Sequence, residues 1–571
     1  MTVFTSPREV IMLRSVDQAA AADLAEKLNV STAVARILVG RGLTTYEACK
    51  DFFTPDASGL RDPFLFKDMR AAVDRVLAAI DKGDRIAVYG DYDVDGVTGT
   101  ALLVRFLQRL GATCDYYLPN RLTEGYGLSA EGIDTLAGRG VKLIVTVDCG
   151  IGSREHVARA ARAGIDVVLT DHHEPHGELP NAAAILDPKV EGCGYPGTEL
   201  AGVGVALKLC HGLAKARGMD DASWLEYLDL VSLGTAADIV PLTGENRIIA
   251  SLGFERLGHT TNPGLRALME LQGIDATTLS TGQVVFQLAP CINAAGRLGD
   301  PGRGVQLLLT EDPAEAKLYA RELREANIER RALDSSVQEQ VVAWVEAHCD
   351  PSRDFAIVAA HHEWHAGVIG IAASRVVESF CRPTFLFSIG EDGLAKGSGR
   401  SAGMVHLLEC VHECTDLLEN YGGHAAAAGA TIKKENIDAF RARFNEAVRA
   451  RTTLDDLVPR VVADAEVELG ALSRKFFNIV KRMAPFGPGN MRPVLLCRGL
   501  RNRYEPRVVG RGHLKMSVTS NGLIMDAIGF NFGERLEEVR RAPSYSLAFS
   551  LDENEWNGKV SLQMKVKGVE V

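Results

Sequence analysis

The stretch Ile86-Ala-Val-Tyr-Gly-Asp-Tyr-Asp-Val-Asp-Gly96 joins a short apolar run to three closely spaced acids. The run at 86–89 reads as a buried strand that Gly90 breaks. In extended backbone, side chains two residues apart point the same way, so Asp91, Asp93 and Asp95 would share one side of a strand end. Like charges that close repel. They need a cation, or separate hydrogen-bond partners. The alternative is a solvated acidic turn, and matching ligands at other strand ends would decide against it.

Such ends exist. Residues 141–147 read as a buried strand ending in Asp148-Cys149-Gly150, and residues 165–170 as a strand ending in Asp171-His172-His173. Helix-like segments at 97–110 and 153–163 and a strand at 114–118 alternate with them. Such alternation predicts a parallel, doubly wound α/β sheet. Its C-terminal strand ends line one edge, where ligands bind. Asp238 closes a helical run, Val231-Ser-Leu-Gly-Thr-Ala-Ala-Asp238, just before Pro241. Asp93, Asp95, Asp148, His172, His173 and Asp238 form an oxygen-rich set with imidazole, which suits Mn²⁺ or Mg²⁺ better than a thiolate zinc site. Several carboxylates can bridge two ions about 3.5–4 Å apart, the arrangement used in phosphoester hydrolysis.

The whole chain is consistent with this. Its 571 residues exceed one ordinary domain, and 46% apolar content supplies large cores. The apolar runs are too short and too interrupted for a membrane span. Residues 1–16 lack a signal-peptide pattern, and eleven scattered cysteines fit a reducing, cytoplasmic setting. A net charge of −11 argues against a chain-wide nucleic-acid coat but permits a local basic groove.

Asp171-His172-His173 resembles the signature tripeptide of the DHH phosphoesterase superfamily. Gly90–Gly96 resembles that family's first motif, Val147-Asp-Cys-Gly150 its second and Gly234-Thr-Ala-Ala-Asp238 its fourth. Residues 118–127, Ile292-Asn-Ala-Ala-Gly-Arg-Leu298, Gly397-Ser-Gly-Arg-Ser401 and Gly422-Gly-His424 are similar to segments of its bacterial single-strand-specific 5′→3′ DNA exonucleases. The resemblance implies an N-terminal helical segment (1–80) packed on the catalytic domain (81–310). A connecting helix (311–350), a DHH-associated α/β domain (351–453) and a C-terminal all-β OB-fold (454–571) follow. It implies catalytic roles for Asp91, Asp93, Asp95, Asp148, His172, His173 and Asp238. Of these, Asp93, Asp95, Asp148, His172 and Asp238 would hold two ions, with Asp91 and His173 in support; spacing leaves open which histidine ligates. Arg297, Ser398 and Arg400 would hold the 5′-phosphate and His424 would contact the strand.

The implied activity is hydrolysis of single-stranded DNA to 5′-mononucleotides in recombination and repair, by a monomer working with a helicase and single-strand-binding protein. The rivals are a DHH phosphoesterase for short oligonucleotides or cyclic dinucleotides, and an inactive DNA-binding scaffold. The family's usual Arg is replaced by Cys291, which would remove one DNA contact. Tyr89 stands where shorter relatives place a metal-binding His.

Beyond residue 310, a charged helical stretch runs to 348. Strands are expected at 355–360 and 383–387. Glycines around Ser398 and Arg400 suit a backbone that approaches an anion. His406, Cys410 and Cys414 would share a helical face on which zinc is conceivable, but a helix packing its small cysteines into a core is the expected reading. Residues 455–571 alternate as an all-β domain, compatible with a five-stranded barrel. Arg503, Tyr504 and Lys515 lie in its basic stretch, which extends from Arg492 to Lys515 and suits single-strand binding.

Overall fold

The computed structural model describes residues 8–571 except Leu122, Pro351 and Asn557; the start of the stretch read for a leader lies outside these residues. The chain divides into two compact units. One holds Lys50–Glu329 and Met483–Met491; the other holds the N-terminal residues through Cys49, Arg330–Arg482 and Arg492–Val571. The N-terminal segment is therefore shared between the units at Cys49.

The first unit is built on a five-stranded parallel sheet. Its order is Cys114–Tyr117, Ile86–Gly90, Leu143–Val147, Asp166–Thr170 and Ala184–Leu186. Helices cover both faces, so alternate side chains of each central strand enter different cores. Val88, Val145 and Val168 pack with the helices Met69–Lys82, Val94–Arg109 and Gly202–Ala216. Tyr89, Ile144 and Leu169 pack on the other side with Ala130–Gly138 and Arg154–Arg162. The expected elements are present with shifted ends. The edge strand Ala184–Leu186 is too short to register as a pattern.

The 36-residue helix Pro313–His348 spans the expected connection. In the second unit, its Val337, Val341 and Val345 pack with Ile357, Ala359 and Leu386. They lie against a mixed sheet of order Leu418–Gly423, Ala427–Lys433, Leu394–Arg400, Thr384–Ile389 and Ile357–His361. Cys410 and Cys414 lie in the opposite core with Phe385 and Phe440, as expected of structural cysteines.

A closed barrel follows. Leu495–Val509 pairs with His513–Ser520, which pairs with Leu523–Gly529; Lys559–Glu570 and Tyr545–Trp556 complete it by pairing back to Leu495–Leu500. The long first strand exceeds the expected run at 494–497, because Arg498, Arg501 and Arg503 hide its continuation from an apolar pattern. Val10–Leu13 adds a parallel partner to Arg460–Ala463 in the same unit, a strand absent from the sequence reading.

Candidate metal centre

Backbone connectivity brings the acids together. Asp93 caps the helix Val94–Arg109, its Oδ1 accepting from Asp95 N (2.9 Å) and Gly96 N (3.1 Å). This turns Asp95 inward, where its two oxygens accept from Gly202 N (2.6 Å) and Val203 N (2.9 Å) at the start of another helix. Helix N-termini favour negative charge. Asp148 follows its strand in the left-handed region, φ 61°. Gly202 allows that approach, since a Cβ there would lie 2.7 Å from Asp148 Cβ.

Three overlapping groups have ligand atoms within 4.8 Å of one another: Asp91, Asp93 and Asp148; Asp95, His172 and Asp238; and Asp148, His172 and His173. His172 Nε2 lies 3.0 Å from Asp148 Oδ1, 3.6 Å from Asp238 Oδ2 and 3.9 Å from Asp95 Oδ2. His173 Nδ1 instead lies 2.8 Å from Asp171 Oδ1. Asp171 also accepts from Ile151 N, His172 N and His173 N. These four hydrogen bonds hold the backbone and ring of the histidine pair in place. Asp91 lies within the same distance of Asp148 as Asp93 does.

The charges describe a site that favours cations. Burial, and then the charge of Asp93, push Asp91 well above the usual carboxylate range and Asp95 up to about 7. Burial, then Asp95 and Asp93, raise Asp148 strongly and Asp238 to about 9. Asp91 Oδ1 and Asp238 Oδ2 are buried without a hydrogen-bond partner among the described residues. Burial and neighbouring His173 lower His172 to about 3, keeping its ring neutral. For Asp171, burial is outweighed by the sum of the His173 hydrogen bond and charge, the Ile151 N–H bond and the His172 charge, and the pKa is lowered; for His173, burial is outweighed by that bond together with the charges of Asp171, Asp95 and Asp91, and the pKa is raised. Buried, mutually repelling oxygens and a neutral imidazole fit a divalent cation site.

Tyr89 is not a ligand candidate here. Its hydroxyl bonds Gly127 O, Ser129 N and Ser129 Oγ on the far side of the sheet. Tyr126, Asn293 and Arg121, which the sequence reading leaves out, join the expected Arg297 here. Tyr126 donates to Asp148 O (2.9 Å), and its hydroxyl lies 3.0 Å from His173 Nδ1. Asn293 Oδ1 accepts from Val94 N (3.0 Å). Arg121 sits 5.1 Å over the Tyr92 ring, and both Arg121 and Arg297 act electrostatically on Tyr92. The quoted segments around 118–127 and 292–298 were the signal for these. Cys291 is fully buried and donates to Gln287 O, so the departure at 291 falls on packing, not on an exposed contact.

In the second unit, Ser398 and Arg400 lie on the strand Leu394–Arg400. Arg400 Nη1 donates to Ser398 Oγ (3.0 Å). A Cβ on Gly370, in the first turn of Ile369–Phe380, would come within 2.9 Å of both side chains. Gly397 and Gly399 face the other way: their Cβ positions are filled by Phe387 and Phe385, at 2.3 and 2.4 Å. These glycines make room for the core, while Ser398 and Arg400, alternating with them, meet the helix start. His424 is exposed at a hairpin end, its N–H on Ala427 O. On the barrel, Arg503 lies 5.5 Å from the ring of Tyr504, which is 64% exposed. Lys515 faces Arg507 across the strands and pairs with Asp526.

Residues 85–235 match the sequence model of the DHH family, N-terminal domain; residues 353–450 match the DHHA1 domain and residues 463–568 the RecJ OB domain. Fold and site thus define a DHH-domain protein. The single-stranded-DNA-specific exonuclease RecJ of Bacillus subtilis (strain 168) is 39% identical over 97% of this chain and 70% of its own length. The chain belongs to the RecJ family. The crystal structure of RecJ with Mn²⁺ from Thermus thermophilus superposes with a TM-score of 0.85 at 31% identity, covering 99% of this chain and 80% of that one. The Mg²⁺ complex from the same source gives 0.76 at 30% identity, with coverage of 99% and 79%. No described helix is long and apolar enough to cross a membrane.

Proposed function

We propose that this chain is a Mn²⁺- or Mg²⁺-dependent exonuclease that removes 5′-mononucleotides from single-stranded DNA, in the 5′→3′ direction. One observation carries it: buried and half-buried acids and histidines converge at one sheet edge with two orphaned carboxylate oxygens. Asp91, Asp93 and Asp148 would hold one ion, and Asp95, His172 and Asp238 the other. Bound there, divalent ions supply an activated water and neutralise charge on the attacking and leaving oxygens.

The chain's own residues do the rest. Asp171 and Tyr126 fix the ring of His173, whose raised pKa suits it to donate a proton or hydrogen bond to a phosphate oxygen. Arg121 and Arg297, beside Tyr92, suit the charged backbone of the strand. Ser398, Arg400 and the adjacent helix start suit a terminal phosphate, and His424 a neighbouring nucleotide. Arg503, Tyr504 and Lys515 give the barrel basic and stacking groups for the strand. We assign domain limits at 81–310, 351–453 and 454–571. The setting we infer is the cytoplasm, in recombination and repair, as a monomer alongside a helicase and single-strand-binding protein.

Incubation of 5′-labelled single strands, duplexes and dinucleotides with Mn²⁺ tests this. Release of labelled mononucleotide from long single strands is expected. Cleavage of dinucleotides alone would favour a small-nucleotide phosphoesterase, and binding without cleavage a scaffold.

A further inference from the structure

The segment Met483–Met491 packs with the catalytic unit, although the residues on both sides of it belong to the other unit. Its sequence, Met-Ala-Pro-Phe-Gly-Pro-Gly-Asn-Met, is stiff where Pro stands and compact where Gly stands. Two buried side chains hold it. Arg247 donates to Met483 O, Ala484 O and Phe52 O, each at 3.0 Å, and lies 3.7 Å over the Phe52 ring. Asn490 Nδ2 donates to Met483 O (2.9 Å) and Pro485 O (2.8 Å), closing the segment on itself.

The closed segment grips one loop. Pro488 O accepts from Leu242 N at 2.7 Å. A Cβ on Gly487 would come within 2.7 Å of Leu242 Cδ1, and one on Gly489 within 3.2 Å of Pro241 Cβ. The gripped loop carries Asp238 out of the helix Leu228–Ala237. Directly after Asp238, Ile239 takes φ 65°, the left-handed region that a β-branched side chain resists. Such backbone persists only where its surroundings hold it. Asn246 Nδ2 holds Pro241 O (3.1 Å), and the segment holds Leu242.

We propose that Met483–Met491 is a strap that positions Asp238, setting the strained turn and so the direction of that carboxylate. The proposal rests on Asp238 being a metal ligand. The test is a double-mutant cycle in the full chain: Gly487→Ala, Asp238→Asn and the pair together. Mn²⁺ affinity is read by calorimetry, and kcat and KM on labelled single strands. Gly487→Ala should weaken Mn²⁺ binding about tenfold, as loss of an outer support does, and lower kcat with KM unchanged. Excess Mn²⁺ should restore kcat. In the Asp238→Asn background the same change should add nothing to the affinity of the remaining site.

Equal losses in both backgrounds, or full Mn²⁺ affinity in the strap variant, overturn the strap. If Gly487→Ala fails to fold, Asn490→Ala carries the same cycle. If Asp238→Asn alone keeps full affinity and activity, the metal-site reading fails instead.

Discussion

The acids at the edge of the parallel sheet and the arginines on Leu495–Val509 carry charge in opposite surroundings. Asp95 and Asp148 are nearly without solvent exposure, whereas Arg501, Arg503 and Arg507 are exposed. A buried charge is costly until something neutralises it, so the acid cluster is poised to take cations. An exposed charge costs little and attracts through water, so the barrel's contribution is weak per residue and sensitive to salt. Chemistry and strand capture should therefore separate under mutation, pH and salt.

The largest separation is expected from Asp148→Ala. Cleavage should fall by about 10³-fold or more, while single-strand binding measured in EDTA stays within about twofold. Comparable turnover of variant and parent would break the comparison at its acidic end. Next comes Tyr504→Ala, which removes one stacking surface. Strand affinity should weaken by about 1–3 kcal/mol, with kcat at saturating DNA unaltered; a loss of kcat alone would put Tyr504 outside the binding path.

The response to pH is smaller and concerns stability. Asp95 at about 7 and Asp238 at about 9 lie above the 3.8 of an ordinary Asp. The ion-free fold thus holds protons that the unfolded chain has released. Its stability from these groups is fullest below pH about 4 and is lost as pH rises through 7 to 9. Bound cations oppose that loss. The melting temperature with Mn²⁺ minus that with EDTA should widen by several degrees from pH 5.5 to 8.5, measured by calorimetry. A gap independent of pH would mean that the ion binds elsewhere. The smallest effect is expected from Arg507→Ala: the slope of log affinity against log salt should flatten by about 0.7, with a loss of affinity of a few fold. An unchanged slope would remove Arg507 from the DNA path.

Much of the catalytic sheet was legible because parallel strands and periodic helices leave strong patterns, and because a doubly wound sheet gathers its C-terminal strand ends. Asp91 through Asp95, Asp148 and His172 could thus be grouped from spacing and motif. Partners within hydrogen-bond distance were not legible. Sequence alone assigns Asp171 no role, and only its donors in the fold show it holding the two histidines. His172 and His173 are neighbours in the chain, but only their ring directions separate the one among carboxylates from the one on Asp171. Gly397 and Gly399 looked suited to an anion because sequence does not show Phe387 and Phe385 beneath them. The basic barrel strand hid its length because its charged residues interrupt the apolar alternation.

By itself, then, the sequence determined the succession of domains and the acids and imidazoles that meet at one edge, since local periodicity and residue chemistry are properties of the chain. The tertiary structure alone decided which of those groups face one another. It also decided that Asp95 rests on the helix start at Gly202, and that a segment beginning at Met483 reaches the loop behind Asp238. Those contacts join residues far apart in sequence, and only packing selects them.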